Sequence, residues 1–147
     1  MEDIHIIEVT VYDPTFVPRI NELLKQLTPG ICFTDQDLRD IVASPSSHLF
    51  LLFYNDVIAG MLSIGSYQIP TGLKYWVEDV VVDDCYRGKS FGRQLIMYAI
   101  DYVSRQKDAT LMLTSNPSRV AANNLYQSVG FQQKQTNVYK MAFTSNI

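Results

Sequence analysis

A valine run that breaks directly into a basic, glycine-punctuated turn constrains this chain more than any other feature. Val80-Val81-Val82-Asp83-Asp84-Cys85-Tyr86-Arg87-Gly88-Lys89-Ser90-Phe91-Gly92-Arg93 predicts a buried strand, a short turn and the first turn of a helix. The helix should run from about Phe91 to Gln106, with Leu95, Ile96, Ala99, Ile100 and Val103 forming its apolar stripe. The first N–H groups of such a helix have no partner inside it and lie at the positive end of its dipole. Gly88 and Gly92 leave the backbone open to close approach. Arg87, Lys89 and Arg93 gather positive charge at the same spot, although the chain carries a net charge of −3. These features suit a pyrophosphate-sized anion. The spacing is neither that of the P-loop nor that of the dinucleotide fingerprint. The alternative is a basic connection with an ordinary cap.

Around this stretch the chain alternates between strand and helix signals. Ile4–Val11 is β-branched and strand-like. Pro18 suits the first turn of a helix reaching about Leu27, with Ile20, Leu23, Leu24 and Leu27 on one face. Thr34 caps a second helix over Asp35–Ala43, which has acidic residues in its first turn. His48–Tyr54 and Val57–Tyr67 flank the turn signal Asn55-Asp56 and form a hairpin. Tyr75–Val82 is the next strand, and Ala109–Thr114 follows the Phe91 helix. Asn116-Pro117 opens a helix that Gly130 closes, and Thr136–Phe143 is a last strand. The order β-α-α-β-β-β-α-β-α-β describes an α/β (α+β) domain. Its mixed, mostly antiparallel sheet is flanked by helices.

With 147 residues, and no repeat or linker, the chain reads as a single domain, 1–147. Nine Tyr, seven Phe and one Trp supply a substantial core. An acidic balance of 12 Lys+Arg against 15 Asp+Glu argues against nucleic acid as a partner. Cys32 and Cys85 make no disulfide framework, and with His5 and His48 they have no zinc-ligand spacing, so no metal is expected. The acidic N-terminus lacks a secretory pattern and no apolar run could span a bilayer, so a cytoplasmic location without membrane contact is expected.

Arg87-Gly88-Lys89-Ser90-Phe91-Gly92 resembles the Arg/Gln-x-x-Gly-x-Gly/Ala motif of the GNAT superfamily of acetyl-CoA-dependent N-acetyltransferases, with Ser90 in place of the first motif glycine. A second signature is matched by Ala122-Asn123-Asn124-Leu125-Tyr126 and Gly130-Phe131, and the order of elements fits nearly the whole chain. The resemblance implies acetyl-CoA as cosubstrate and an amine, favoured to be a small molecule, as acceptor. It leaves room for a homodimer. By position, Val80, Val81 and Val82 would pair with the pantetheine arm as if it were an added strand. Arg87, Gly88, Lys89, Ser90, Phe91, Gly92 and Arg93 would hold the pyrophosphate. Arg119 stands where many members carry asparagine, and Asn123 would take over a cofactor contact.

Two residues are then expected to carry the chemistry. Glu78 lies roughly 13 Å upstream of the phosphate turn, within reach of the thioester. It would be the base, in an apolar setting between Trp76 and Val80 that raises its pKa. The alternatives are a solvent-facing strand carboxylate without a catalytic role, Asp79 as the base, or a water relay. Tyr126 would be the general acid that protonates the departing thiolate, the alternative being a ring packed against the sheet. No base accompanies either cysteine, which favours direct transfer in a ternary complex. Protein lysines or N-termini as acceptors, and a non-catalytic acyl-CoA sensor, are the competing functions.

Overall fold

The computed structural model describes residues 1–144. Five strands form one sheet in chain order: β1 (Ile4–Glu8), β2 (Ser47–Tyr54), β3 (Val57–Ile69), β4 (Gly72–Val82) and β5 (Ala109–Met112). The first four pair antiparallel, and β5 pairs parallel to β4. Helices α1 (Phe16–Leu27) and α2 (Asp35–Ala43) connect β1 to β2. Helix α3 (Phe91–Ser104) crosses from β4 to β5, and α4 (Val120–Ser128) follows β5.

Two apolar layers account for the sandwich. On one face Phe91, Leu95, Ile96, Ala99 and Val103 of α3 pack with Tyr126 of α4 against Phe50, Leu62, Ile64 and Val77. On the other, Val17, Ile20 and Leu23 of α1 and Leu38 of α2 cover Leu49, Leu51, Met61 and Val81. The α3 stripe is thus the one that its 3.6-residue spacing predicts. Truncating Leu95 to alanine would cost about 2–5 kcal/mol, since its side chain is fully enclosed.

Local chemistry sets the element ends. Thr34 caps α2 reciprocally: its hydroxyl accepts from the Asp37 N–H, and the Asp37 carboxylate accepts from the Thr34 N–H. Asn55 and Asp56 both take positive φ, 47° and 67°, the conformation that a two-residue hairpin turn demands. At Gly60 a Cβ would stand 3.1 Å from the Val81 carbonyl and 3.2 Å from Leu95 Cδ1, so a larger residue would have to push β4 or α3 away by a few tenths of an ångström.

Several boundaries differ from expectation. Strand β1 ends at Glu8 rather than Val11, and α1 starts at Phe16 with Pro18 inside its first turn, where a missing N–H costs nothing. Strands β3 and β4 extend to a tight connection at Pro70-Thr71. Asn116-Pro117 does not open α4: the Asn116 side chain accepts from the Ser118 N–H and hydroxyl, fixing a turn, and the helix begins at Val120. No strand forms over Thr136–Phe143, where Val138, Tyr139, Met141 and Phe143 are exposed. The neighbouring β5 has only four residues, a short ladder for any added strand.

Candidate active site

The site grows out of a divergence between two parallel strands. Strands β4 and β5 pair from Leu73–Ala109 to Trp76–Met112 and no further. Beyond that point Val77–Val82 pairs only with β3, leaving its other edge open toward Leu113, Thr114 and Ser115. The Ser115 hydroxyl is buried there without a hydrogen-bond partner among the described residues. A backbone edge with free N–H and C=O groups beside an orphaned hydroxyl is suited to an extended, amide-bearing chain.

At the wide end of this gap lies the start of α3. Ser90 precedes the helix in the left-handed region, φ 63°, and Gly88 also has positive φ, 82°. The space where a Gly88 Cβ would stand is open, so the amides can meet a ligand directly. The left-handed geometry explains why a glycine motif suits position 90, and Ser90 occupies it under strain. The Arg87 guanidinium pairs with the Asp84 carboxylate at 2.8 Å, Lys89 lies 5.1 Å from the Tyr54 ring centroid, and Arg93 donates to the Ser128 hydroxyl at 3.3 Å. All three cations are exposed at the rim of the turn. Asn123 is turned to the chain itself, donating to the Asn116 carbonyl at 3.0 Å. Among the valines, Val81 is buried and Val80 and Val82 are half-buried, so their side chains are core while their backbone borders the gap.

The strand pairing contains a feature that the sequence did not announce. Val81 faces Met61 but Glu78 faces Ser63, so Asp79 and Val80 together oppose Leu62 in a β-bulge. Asp79 takes φ 50° to make it, a left-handed conformation that aspartate tolerates better than most residues. The bulge corrects the expected surroundings of Glu78. Val80 packs with the α3 layer, on the opposite face from Val81, and does not share a face with Glu78. Trp76 does, and its indole N–H donates to the Tyr67 hydroxyl at 2.9 Å.

Glu78 lines a cleft of about 590 Å³ with Trp76, Tyr67, Gly65, Ser47 and Thr114, over which Val138 also lies. Glu78 is exposed at the edge of this cleft; partial desolvation first, then the charge of Asp79, pushes its carboxyl above its ordinary range. Asp79 belongs to a neighbouring recess of about 250 Å³ between α1, α2 and the sheet. The Tyr126 ring is buried, 7% exposed, and meets Phe131 edge-on at 6.1 Å, while its hydroxyl bonds to no group among the described residues. The structure therefore brings Glu78 and Asp79 to one face and the α3 start to the end of the same strand. The α4 tyrosine packs in the layer on the other face.

Sequence reasoning missed Ser115 and Thr114 as site components, and the hydrogen bond that joins Trp76 to Tyr67. Each depends on where strands stop pairing or which cross-strand neighbour a side chain meets, and no local motif encodes that. Among the described residues no group of three His, Cys, Asp or Glu could hold a metal, and no helix is long and apolar enough to cross a membrane.

A splayed parallel pair with a helix N-terminus at its mouth forms a groove suited to an extended chain that ends in an anion. Residues 17–131 match the family described as the acetyltransferase (GNAT) family, and the chain belongs to it. It is similar to the N-alpha-acetyltransferase RimI of Mycobacterium tuberculosis (strain ATCC 25618 / H37Rv), 28% identical over 92 residues. That match covers 63% of this chain and 56% of the relative, so the chain spans about half the length of that protein. Among solved structures, an aminoglycoside acetyltransferase from an uncultured soil metagenomic sample superposes with a TM-score of 0.83 at 13% identity, covering 97% of each chain. An aminoglycoside N-acetyltransferase in complex with CoA superposes with a TM-score of 0.77 at 15% identity, covering 97% of this chain and 96% of the other.

Proposed function

We propose that this chain transfers an acetyl group from acetyl-CoA to a primary amine, favouring a small molecule, by direct transfer in a ternary complex. The observation that carries the reading is the divergence of β4 from β5 after Trp76–Met112, with Glu78 beside its narrow end and the α3 start at its mouth. Acetyl-CoA supplies the activated thioester. The amides of residues 88 to 93 hold its pyrophosphate, with Arg87, Lys89 and Arg93 adding positive potential. The open edge of Val80–Val82 pairs with the pantetheine arm, and Ser115 offers its unpartnered hydroxyl to an amide of that arm. Asn123 holds the loop before α4 in place through Asn116.

In the transfer, Glu78 takes a proton from the acceptor ammonium, freeing the nitrogen lone pair for attack on the thioester carbonyl. A base whose pKa is raised by burial is matched to that task. As the carbon–sulfur bond breaks, Tyr126 gives its phenolic proton to sulfur, and bulk water restores it. The second proton of the attacking nitrogen leaves to solvent, so the products are an amide and a free thiol. No cysteine is drawn into the scheme, since both thiols are exposed and free.

The similarity to a protein named for N-alpha-acetylation supports a protein N-terminus as the second acceptor reading. The test is thiol release from acetyl-CoA across a panel of amines and peptides, with cofactor binding measured separately by calorimetry. Saturable binding with amine-dependent thiol release is expected. Absence of acetyl-CoA binding at millimolar concentration would overturn the reading.

A further inference from the structure

The recess next to Glu78 is built unlike the cleft that holds it. The cleft is lined by hydroxyls and aromatic edges, whereas the recess of about 250 Å³ is walled by Ile20, Leu24, Phe33, Ile41, Leu49 and Met61. Ile20, Phe33, Leu49 and Met61 are buried, so its floor is firm core, whereas Ile31 and Cys32 at its rim are exposed. Ser63, the cross-strand partner of Glu78, belongs to the recess, so the two cavities meet at that pair. The bulge places the Asp79 carboxylate on the recess. Asp37 also borders it, but one of its oxygens accepts the Thr34 N–H in the α2 cap.

Resting on the transferase reading above, we infer that the acceptor is a primary ammonium bearing one compact apolar arm. The cationic head sits between Glu78 and Asp79, and the arm fills the recess. Two adjacent carboxylates complement an ammonium, and beyond them the wall is apolar apart from Ser63 and from Asp37, whose carboxylate is engaged by the Thr34 N–H. A desolvated charge or hydroxyl in that wall would lose its water without replacement. An apolar arm gains by leaving water. This chemistry favours such an acceptor over linear polyamines and amino sugars. It is shared by small arylalkylamines and by peptides whose first side chain is apolar.

Three measurements test it. In the thiol-release assay, 2-phenylethylamine should exceed spermidine and glucosamine by at least about tenfold in kcat/KM, about 1.4 kcal/mol of transition-state discrimination. A peptide beginning with Met, run in parallel, separates the two sources. Ile31→Asp, at the exposed rim, should abolish that preference while leaving acetyl-CoA binding intact. Independently of turnover, 2-phenylethylamine should slow maleimide labelling of Cys32 in a Cys85→Ser background, and spermidine should not. Equal or better turnover of spermidine, glucosamine or a lysine peptide would overturn the inference while leaving the transferase reading standing. Unprotected Cys32 would overturn it even if no acceptor turned over, whereas loss of acetyl-CoA binding would bear on the transferase reading alone.

Discussion

Arg19 of α1 and Asp83 at the end of β4 form an ion pair that ties α1 to the turn leading into α3. Arg19 also donates to the Ile58 carbonyl at 2.7 Å, while Asp83, only 5% exposed, accepts from the Cys85 N–H and donates its own N–H to the Ala59 carbonyl. Two helix turns further on, the Gln26 side chain accepts from the Asp84 N–H at 2.9 Å. Helix α1, which walls the recess, therefore also fixes the entry to the anion turn.

Arg19→Met should strand a buried carboxylate and destabilise the fold by about 3 kcal/mol. The Cys85 N–H first, then Arg19, hold the Asp83 carboxyl below its ordinary range. The stability it contributes is present above the unfolded value and lost as pH falls through the folded one. Urea melts should therefore show the Arg19→Met penalty shrinking in strong acid. Arg19→Met with Asp83→Leu should cost less than the sum of the two single changes.

Ser90→Gly should relieve a left-handed serine and stabilise the protein by about 1 kcal/mol, close to 3 °C in Tm. The backbone donor at position 90 stays, so acetyl-CoA affinity should change by less than about tenfold. Ser90→Ala keeps the strain without the hydroxyl and should not be stabilised. A fall in Tm for the glycine variant would show that the turn is held by the serine side chain.

Glu78→Gln tests the base. Because the folded state raises the Glu78 pKa, it retains a proton that the unfolded chain has released. Its contribution to stability is therefore fullest below the unfolded value and declines as pH rises through the folded one. The glutamine variant should melt above the wild type at pH 7, with the gap closing in acid. In kinetics, wild-type kcat/KM should climb with pH through the raised Glu78 value, and the variant should lose that limb along with most turnover. An unchanged limb would assign the base to another group.

Tyr126→Phe keeps the buried ring and its contact with Phe131 while removing the hydroxyl. Turnover should fall by roughly tenfold to a thousandfold, the usual span of acid–base contributions, with acetyl-CoA binding nearly unchanged. Wild-type turnover on a good acceptor would mean that water protonates the thiolate.

What could be read from the residues was whatever a few neighbours encode. The α3 stripe, the Thr34 cap and the Asn55-Asp56 turn are local patterns, and each stands where its spacing put it. The bulge at Asp79–Val80 is a mismatch between two strands, invisible in β4 alone, and it moved Val80 away from Glu78. The end of β4–β5 pairing, and with it Ser115, arises from three-dimensional twist and packing. Thr136–Phe143 has the β-branched and aromatic content of a strand, yet content creates only a candidate, and pairing requires an edge long enough to receive it.

The extra residue at Asp79 also divides the labour of β4. Upstream of it, Trp76 and Glu78 line the cleft; downstream, Val81 and Val82 are locked into core on either face. Trp76 and Glu78 escape the packing constraints that hold Tyr75, Val77, Val81 and Val82. Side chains bordering the cleft can therefore change without retuning the core positions that alternate with them on the same strand.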